Sequence, residues 1–125
     1  MQHILIIDDD EQVRELCRTV LEDAGYGVES APDGAVALEI FDRQPCELVL
    51  CDIFMPNKDG IETILELTKS YFDVKVIAMS GGATGLPDYL PSARQFGAVD
   101  ILKKPFSPDA LLRMVRDALE TSSAT

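Results

Sequence analysis

Short apolar runs alternate along the chain with longer stretches in which apolar residues recur every three or four positions. The short runs are typical of buried strands, and the longer stretches are typical of amphipathic helices. We predict strands at residues 4–7, 28–31, 47–51, 74–79 and 99–103, each followed by a helix. Five strands that alternate with five helices indicate an α/β fold, in which a parallel sheet is covered on both faces.

Right-handed crossover connections narrow this pattern to a single doubly wound sheet. The expected fold is flavodoxin-like, with a five-stranded parallel sheet in the order 2-1-3-4-5 and five helices. We expect the domain to span residues 1–120 and residues 121–125 to form a disordered tail. The fourth helix, near residues 88–97, has the weakest pattern, because Pro87 and Pro91 lie close to its start and proline is poorly tolerated within helices.

Short polar segments indicate where helices begin and where the chain turns. Asp10 is expected to cap the first helix. The segment Ser107-Pro108-Asp109 combines a hydroxyl cap, a proline at the first helical position and an acid in the first turn, so it predicts the start of the last helix. Asp33-Gly34 is expected to form a turn before the second helix.

The chain has 125 residues, of which 46% are apolar, and this is enough for one domain with one core. A formal net charge of −11 argues against direct nucleic-acid binding, which depends on Lys and Arg contacts to phosphate. No apolar run approaches the roughly 18–20 residues of a membrane span, and the first residues lack the basic start of a secretory signal. We therefore expect a cytoplasmic protein that does not contact a membrane.

The three cysteines, Cys17, Cys46 and Cys51, form no CxxC pair and leave an odd count. Cys17 lies on the apolar face of the first predicted helix, and Cys51 lies in an apolar strand. Structural disulfides are rare in the cytosol. We therefore expect buried reduced thiols.

Charged side chains follow three of the predicted strands. Asp8 and Asp9 follow the first strand, Asp52 follows the third, and Lys104 follows the fifth. Because a parallel sheet collects the carboxyl ends of its strands along one edge, where open α/β sheets bind ligands, we expect these side chains to meet. Several carboxylates and one ammonium group form a site suited to a hard cation and a phosphoryl group.

Four motifs lie at these strand ends, and in order they read IIDDDEQVR, LVLCDIFMPNKDG, AMSGG and LKKPF. Each motif is weak by itself, but all four at this spacing are highly specific. Over residues 3 to about 120, the chain resembles the receiver domains of two-component response regulators. The resemblance implies a signalling switch rather than an enzyme. It would accept a phosphoryl group from a histidine kinase or a phosphotransfer protein and act on an unknown output domain or partner protein.

The resemblance also implies a metal site. Asp52 is the implied phosphoryl acceptor, and Asp8 and Asp9 correspond to the acidic pair that holds Mg²⁺, with Asp9 as the direct ligand of the two. Asp52 and the backbone carbonyl of Phe54 complete the implied ligand set.

Two further side chains are implied to contact the phosphoryl group. Ser80 stands where the family has a hydroxyl that hydrogen-bonds a phosphoryl oxygen, and Lys104 stands where it has its lysine. Lys103 points to the other face of the strand, and the Lys104–Pro105 bond is a candidate for a cis peptide. Phosphorylation is expected to pull Ser80 inward and to change the surface around the fourth helix, the fifth strand and the fifth helix.

Three positions depart from the commonest family pattern. Ile101 stands where many members carry a Tyr or Phe that turns inward on activation, so aromatic gating is not expected. Phe54 and Gly82 occupy positions thought to tune attack by water on the acyl phosphate. A bulky Phe54 and a Gly82 without a side chain predict slow self-dephosphorylation, over minutes or longer.

Two other functions remain open. A haloacid-dehalogenase-like phosphatase would use Asp8 as nucleophile and Asp10 as general acid, although the chain is short for that fold and has no room for its cap. A receiver-like interaction module would have the same fold but would not be phosphorylated. His3, the only histidine, lies at the opposite end of the predicted sheet and is expected to be neither catalyst nor ligand.

Overall fold

The computed structural model describes residues 1–53, 60–70, 74–80 and 97–121. Its strands are β1 (His3–Ile7), β2 (Gly27–Ala31), β3 (Leu48–Asp52), β4 (Lys75–Ser80) and β5 (Asp100–Lys103). Its helices are α1 (Glu11–Asp23), α2 (Gly34–Arg43), α3 (Gly60–Ser70) and α4 (Pro108–Thr121).

The strands form one parallel sheet in the order β2-β1-β3-β4-β5, which confirms the predicted topology. Strand β1 pairs with β2 on one side and with β3 on the other, and β3 lies at the centre of the sheet. The helix predicted near residues 88–97 falls almost entirely on residues outside the described part of the chain, as do residues 122–125 of the predicted tail.

Two strands end one residue later than the sequence pattern indicated. β3 ends at Asp52 and β4 ends at Ser80, because these polar residues stay in the ladder and pair with Met79 and Lys103, respectively. Both residues are also buried, with 4% exposure for Asp52 and 8% for Ser80. The last residues of two neighbouring strands are therefore polar groups held inside the protein.

The core consists of two layers, one on each face of the sheet. In β1, Leu5 and Ile7 point to the face covered by α2 and α3, whereas Ile4 and Ile6 point to the face covered by α1 and α4. All four side chains are at most 1% exposed. Burial of alternate residues on both faces fixes the register of the strand, and with it the position of the residues that follow.

The capping residues largely match the prediction. The Asp10 side chain accepts a hydrogen bond from the Gln12 backbone, and the Ser107 hydroxyl oxygen accepts one from the Ala110 backbone, so both are N-caps as expected. Asp33 differs from the prediction of a turn. Its side chain accepts from the Val36 amide at 2.9 Å and caps α2, because an Asp before Gly can cap a helix as readily as it begins a turn.

None of the three cysteines forms a disulfide. Cys17 and Cys51 are fully buried as predicted, whereas Cys46 is only half-buried. Cys46 lies between α2 and β3, near the surface at the start of the strand. Among the described residues, no helix has the length and apolar character needed to cross a membrane.

Candidate functional site

The predicted meeting of the strand ends is confirmed. Asp8 follows β1 directly, and Asp52 is the last residue of β3. Ile7 pairs with Cys51 in the parallel ladder, so Asp8 and Asp52 lie next to each other at the ends of neighbouring strands. Asp8, Asp9 and Asp52 each offer one carboxylate oxygen, and these three oxygens lie within 4.8 Å of one another. The cluster combines two buried carboxylates with one exposed carboxylate, that of Asp9.

Lys104, which follows the edge strand β5, reaches this cluster with its side chain. Its Nζ donates to Oδ2 of Asp8 at 2.6 Å and to Oδ2 of Asp52 at 3.4 Å. The preceding residue, Lys103, is exposed, as the strand alternation predicts. The peptide bond between Lys104 and Pro105 is cis, which confirms that expectation.

The pKa of Lys104 is affected in opposite directions by burial and by its two carboxylate partners, Asp8 and Asp52. Burial alone would lower this pKa, but the hydrogen bond to Asp8 and the charge of Asp52 outweigh it. The pKa of Lys104 is therefore raised above its ordinary value, and the ammonium group stays charged. Lys104 therefore places a permanent positive charge in contact with two of the three carboxylates.

Asp8 is held by backbone contacts as well as by Lys104. Its carboxylate accepts from the Asp10 amide at 2.9 Å, and its own amide donates to the Ala31 carbonyl at 3.1 Å. The side chain is completely buried. Asp8 is therefore fixed in place, whereas Asp9 faces solvent and is open to a ligand that enters from outside.

Ser80 ends β4, the strand next to Asp52, and its carbonyl accepts from the Lys104 amide at 2.8 Å. The backbone of Ser80 is thus tied to the residue that contacts both carboxylates. Phe54, whose carbonyl was the fourth predicted metal ligand, and Gly82 both lie outside the described residues.

Two residues that support the site were not predicted from the sequence. Arg14 on α1 donates from its guanidinium to the Asp8 carbonyl at 2.7 Å. Gly60, the first residue of α3, lies so close to the end of β3 that an added Cβ would clash with the carbonyl oxygen of Asp52. The Asp-Gly pair at residues 59–60 is a local pattern for a turn or a helix cap, and it does not predict this close approach. No comparable pattern marked Arg14.

An open apolar groove of about 420 Å³ lies beside Lys104. It is lined by residues of α1 and of the segment after β5, namely Val13, Leu16, Lys104, Pro105 and Phe106. Leu16, one of these lining residues, is 45% exposed. The charged cluster and an apolar surface therefore adjoin each other.

The donor set of the cluster fits a hard divalent cation. Carboxylate oxygens are the protein ligands that Mg²⁺ prefers, and it keeps several waters in its octahedral shell. A site with one exposed and two buried carboxylates leaves room for such waters on the Asp9 side. Receiver domains bind Mg²⁺ in an acidic pocket of this kind.

The response regulator receiver domain family model matches residues 4–116. The probable transcriptional regulator ycf27 of Porphyridium aerugineum is 38% identical over 118 residues, which cover 94% of this chain and 48% of that protein. Response regulator MprA of Mycobacterium sp. (strain KMS) is 34% identical over 120 residues, which cover 96% of this chain and 51% of that protein. The chain thus spans about half the length of these curated relatives.

Solved structures of response regulators are also similar to this chain. The receiver domain of NtrX from Brucella abortus superposes with a TM-score of 0.88 at 32% identity and covers 94% of this chain and 98% of that one. Response regulator protein TrrA from Thermotoga maritima, solved in complex with Mg²⁺ and BeF, has a TM-score of 0.84 at 31% identity and covers 95% of this chain and all of that one. By sequence, fold and the acidic cluster at the strand ends, the chain belongs to the response regulator receiver domain family.

Proposed function

We propose that this chain is a phosphorylation-controlled switch in which Asp52 accepts a phosphoryl group from the phosphohistidine of a histidine kinase or a phosphotransfer protein, with Mg²⁺ as cofactor. One observation carries the proposal. Three carboxylate oxygens lie within 4.8 Å of one another, and Lys104 reaches two of these groups. Members of the family are signalling proteins rather than classical enzymes, and the chain is proposed to act in the same way.

Charge is the main obstacle to this reaction. Two unit charges about 4 Å apart repel each other by roughly 4 kcal/mol at an effective dielectric constant near 20. Asp8, Asp9, Asp52 and the Phe54 carbonyl would hold Mg²⁺, which would supply the positive charge needed at the acceptor. Lys104 supplies a second, permanent positive charge from the β5 side.

The proposed transfer is a single displacement at phosphorus. A carboxylate oxygen of Asp52 forms the new P–O bond while the P–N bond of the phosphohistidine breaks, and the departing imidazole nitrogen keeps the electron pair and takes up a proton. The nucleophile needs no general base, since Asp52 is already paired as a carboxylate with the Lys104 ammonium. Positioning and charge neutralisation therefore account for nearly all of the catalysis.

The surface around the cluster fits a protein donor. Asp9 is exposed, and the apolar groove beside Lys104 offers contact area next to the acceptor. Exposed apolar surface next to a polar site is typical of a place where another protein binds. The phosphodonor is proposed to approach over α1 and the segment after β5.

Ser80 is proposed to hydrogen-bond the phosphoryl group once it is attached to Asp52. A phosphoryl group adds about −1.5 to −2 charges and three acceptor oxygens, and Ser80 ends the strand that pairs with Asp52. A hydrogen bond from its hydroxyl would draw the segment after β4 inward and change the surface around that segment, β5 and α4. If the Ser80→Ala variant and the wild type show the same NMR shifts with Mg²⁺ and beryllofluoride, Ser80 has no such role.

The acyl phosphate is proposed to last for minutes or longer, because Phe54 would hinder attacking water and Gly82 offers water no side chain. The Phe54→Asn variant should then lose its phosphoryl group faster than the wild type. A wild-type lifetime of seconds would contradict this part of the proposal.

The position of the label separates this function from its two alternatives. After incubation with phosphoramidate and Mg²⁺, fragmentation of the intact protein in a mass spectrometer should place the phosphoryl group on Asp52. A label on Asp8 would indicate a phosphatase of the haloacid-dehalogenase type, with Asp10 as its acid. No label on any aspartate would indicate an interaction module that is not phosphorylated.

The output of the whole protein is proposed to reside outside this chain. The relatives named as transcriptional regulators are about twice the length of the matched region or longer. A net charge of −11 is unsuited to phosphate contacts, so DNA would be bound by another domain or by a partner protein. The cytoplasm is the proposed location, since the phosphodonor histidine would be found there.

A further inference from the structure

The peptide group that joins Asp8 to Asp9 accepts a hydrogen bond from a side chain of α1. Its oxygen is the Asp8 carbonyl, and it accepts a hydrogen bond from the Arg14 guanidinium at 2.7 Å. This is the short end of the range for a charge-assisted hydrogen bond. Arg14 is half-buried, and its backbone amide is part of the first turn of the same helix, where it donates to the Asp10 carbonyl at 3.1 Å.

We propose that Arg14 is a positioning residue that holds the Asp8–Asp9 peptide in the orientation in which both carboxylates reach Asp52. The proposal rests on the proposed function, because it concerns the same cation site. Arg14 would not touch the cation or the phosphoryl group. It would act through the peptide plane between two of the predicted ligands.

The geometry of a peptide explains why one contact has this effect. The Asp8–Asp9 peptide is planar, so its carbonyl direction also fixes where the Cα of Asp9 lies and where its side chain begins. Within the described part of the chain, the other hydrogen bonds of these two residues involve Asp8 alone, through its amide, its Oδ1 and its Oδ2. Asp9 is exposed, and the hydrogen bond from Arg14 restrains the peptide that carries it.

Metal ligands in proteins are commonly held in place by hydrogen bonds from neighbouring residues that do not touch the metal. Groups that orient the ligands without touching the metal typically change metal affinity about 10–100-fold when they are removed. Arg14 would orient the ligands in the same way, but its hydrogen bond is to the backbone carbonyl of Asp8 rather than to a ligand side chain. It also brings a positive charge towards a segment that carries three consecutive aspartates.

Arg18 provides a matched control on the same helix. It lies one turn after Arg14, is also half-buried, and donates from its guanidinium to a strand carbonyl, that of Val28, at 3.2 Å. It also contacts Ser30 and Glu22. Its strand is β2 rather than the end of β1, so its removal should affect stability but not the cation site.

The test is an NMR titration of the full chain with Mg²⁺, in the wild type and in the Arg14→Ala, Arg14→Lys and Arg18→Ala variants. Arg14→Ala should raise the Kd for Mg²⁺ by about tenfold or more, and Arg14→Lys should recover part of this loss because it keeps a charged donor. Arg18→Ala should keep the wild-type Kd. A wild-type Kd in Arg14→Ala, or an equal loss in Arg18→Ala, would overturn the proposal.

The Asp10 amide gives a second readout that needs no cation. It donates to Oδ1 of Asp8, so its proton shift reports where that carboxylate lies. In the metal-free protein this shift should move in Arg14→Ala and stay unchanged in Arg18→Ala. An unchanged Asp10 amide in Arg14→Ala would overturn the positioning role. If the wild type itself does not respond to Mg²⁺, the proposed function fails, while a shifted Asp10 amide would still support the contact.

Discussion

The ammonium group of Lys104 lies 2.6 Å from Oδ2 of Asp8, although the two residues are 96 positions apart in the chain. The contact joins the segment after β5 to the end of β1, and Asp52 lies between them on β3. Without a cation, this ammonium is the positive charge that compensates the buried carboxylates. The stability of the metal-free protein should therefore depend on it.

Replacement of this lysine should destabilise the metal-free protein. Lys104→Met would leave the buried Asp8 carboxylate without its ammonium partner, and removal of one partner of a buried ion pair costs about 3–5 kcal/mol. Lys103→Met is the control, because Lys103 is exposed and points away from the cluster. Urea unfolding with EDTA at neutral pH measures the difference, and equal free energies of unfolding for the two variants would contradict it.

The contribution of Lys104 should also depend on pH. Its pKa is raised in the folded protein above its ordinary value of 10.5, so the stabilisation is fully present below that value and is lost as the pH rises through the raised pKa. The difference in free energy of unfolding between wild type and Lys104→Met should be constant from neutral pH to about 10 and shrink at higher pH. A difference that grows with pH would have the wrong sign for this account.

Mg²⁺ should stabilise the wild type through Asp9. A ligand at 100 times its Kd adds about 2.7 kcal/mol to the free energy of unfolding. Asp9→Asn should lose most of this gain and should be more stable than the wild type in EDTA, since it removes one of three neighbouring negative charges. The measurement is the thermal unfolding midpoint with and without Mg²⁺.

Asp10→Asn is the matched control for that experiment. Asp10 is the next acid in the sequence, is exposed, and caps α1 with its side chain, a role that asparagine also performs. This variant should keep the wild-type response to Mg²⁺. If it loses the response as Asp9→Asn does, the cation is not bound at the predicted carboxylates.

Gly60 should tolerate no side chain. An added Cβ would overlap the Asp52 carbonyl and the backbone of Ile53, which cannot move without shifting the acceptor. Overpacking of this kind costs about 1–3 kcal/mol, so Gly60→Ala should lower both the free energy of unfolding and the affinity for Mg²⁺. Gly25→Ala is the control, because Gly25 has a φ of +100° but open space around it. It should lose stability from backbone strain and keep its affinity for Mg²⁺.

The cysteines should be inert in the folded protein. Burial raises the pKa of the Cys17 thiol to about 12, with a further contribution from Asp8, and burial also raises the pKa of Cys46 to about 12. At pH 8 only about one thiol in 10⁴ would be the reactive thiolate. Iodoacetamide should label the native chain far more slowly than the urea-unfolded chain. If one of the three is labelled first it should be Cys46, because Cys17 and Cys51 are both fully buried.

Much of the fold and the site was readable in the sequence because the signals were local. Three strands that line the site are short apolar runs that end in, or are directly followed by, a charged residue: Asp8 after β1, Asp52 at the end of β3 and Lys104 after β5. The topology rules for parallel sheets then place these ends along one edge. The meeting of Asp8, Asp52 and Lys104 follows from this alone. The exposed Asp9 could be assigned to the same cluster because it is adjacent to Asp8.

The contacts that were missed depend on tertiary structure. The guanidinium of Arg14 reaches the Asp8 carbonyl only because α1 packs back on the end of β1, and Arg14 resembles any solvated helix residue in the sequence. Gly60 is restricted by a strand that precedes it by eight residues, not by its own turn. Asp33 was assigned to a turn because an Asp-Gly pair fits both a turn and a helix cap, and only the register of α2 separates them.

The most direct test of the account is the gain in mass on incubation with phosphoramidate, in the wild type and in Asp52→Asn, with Mg²⁺ and with EDTA. The wild type should gain the mass of one phosphoryl group with Mg²⁺ and much less in EDTA, and Asp52→Asn should gain none in either condition. An Asp52→Asn protein that is labelled as fast as the wild type would contradict it.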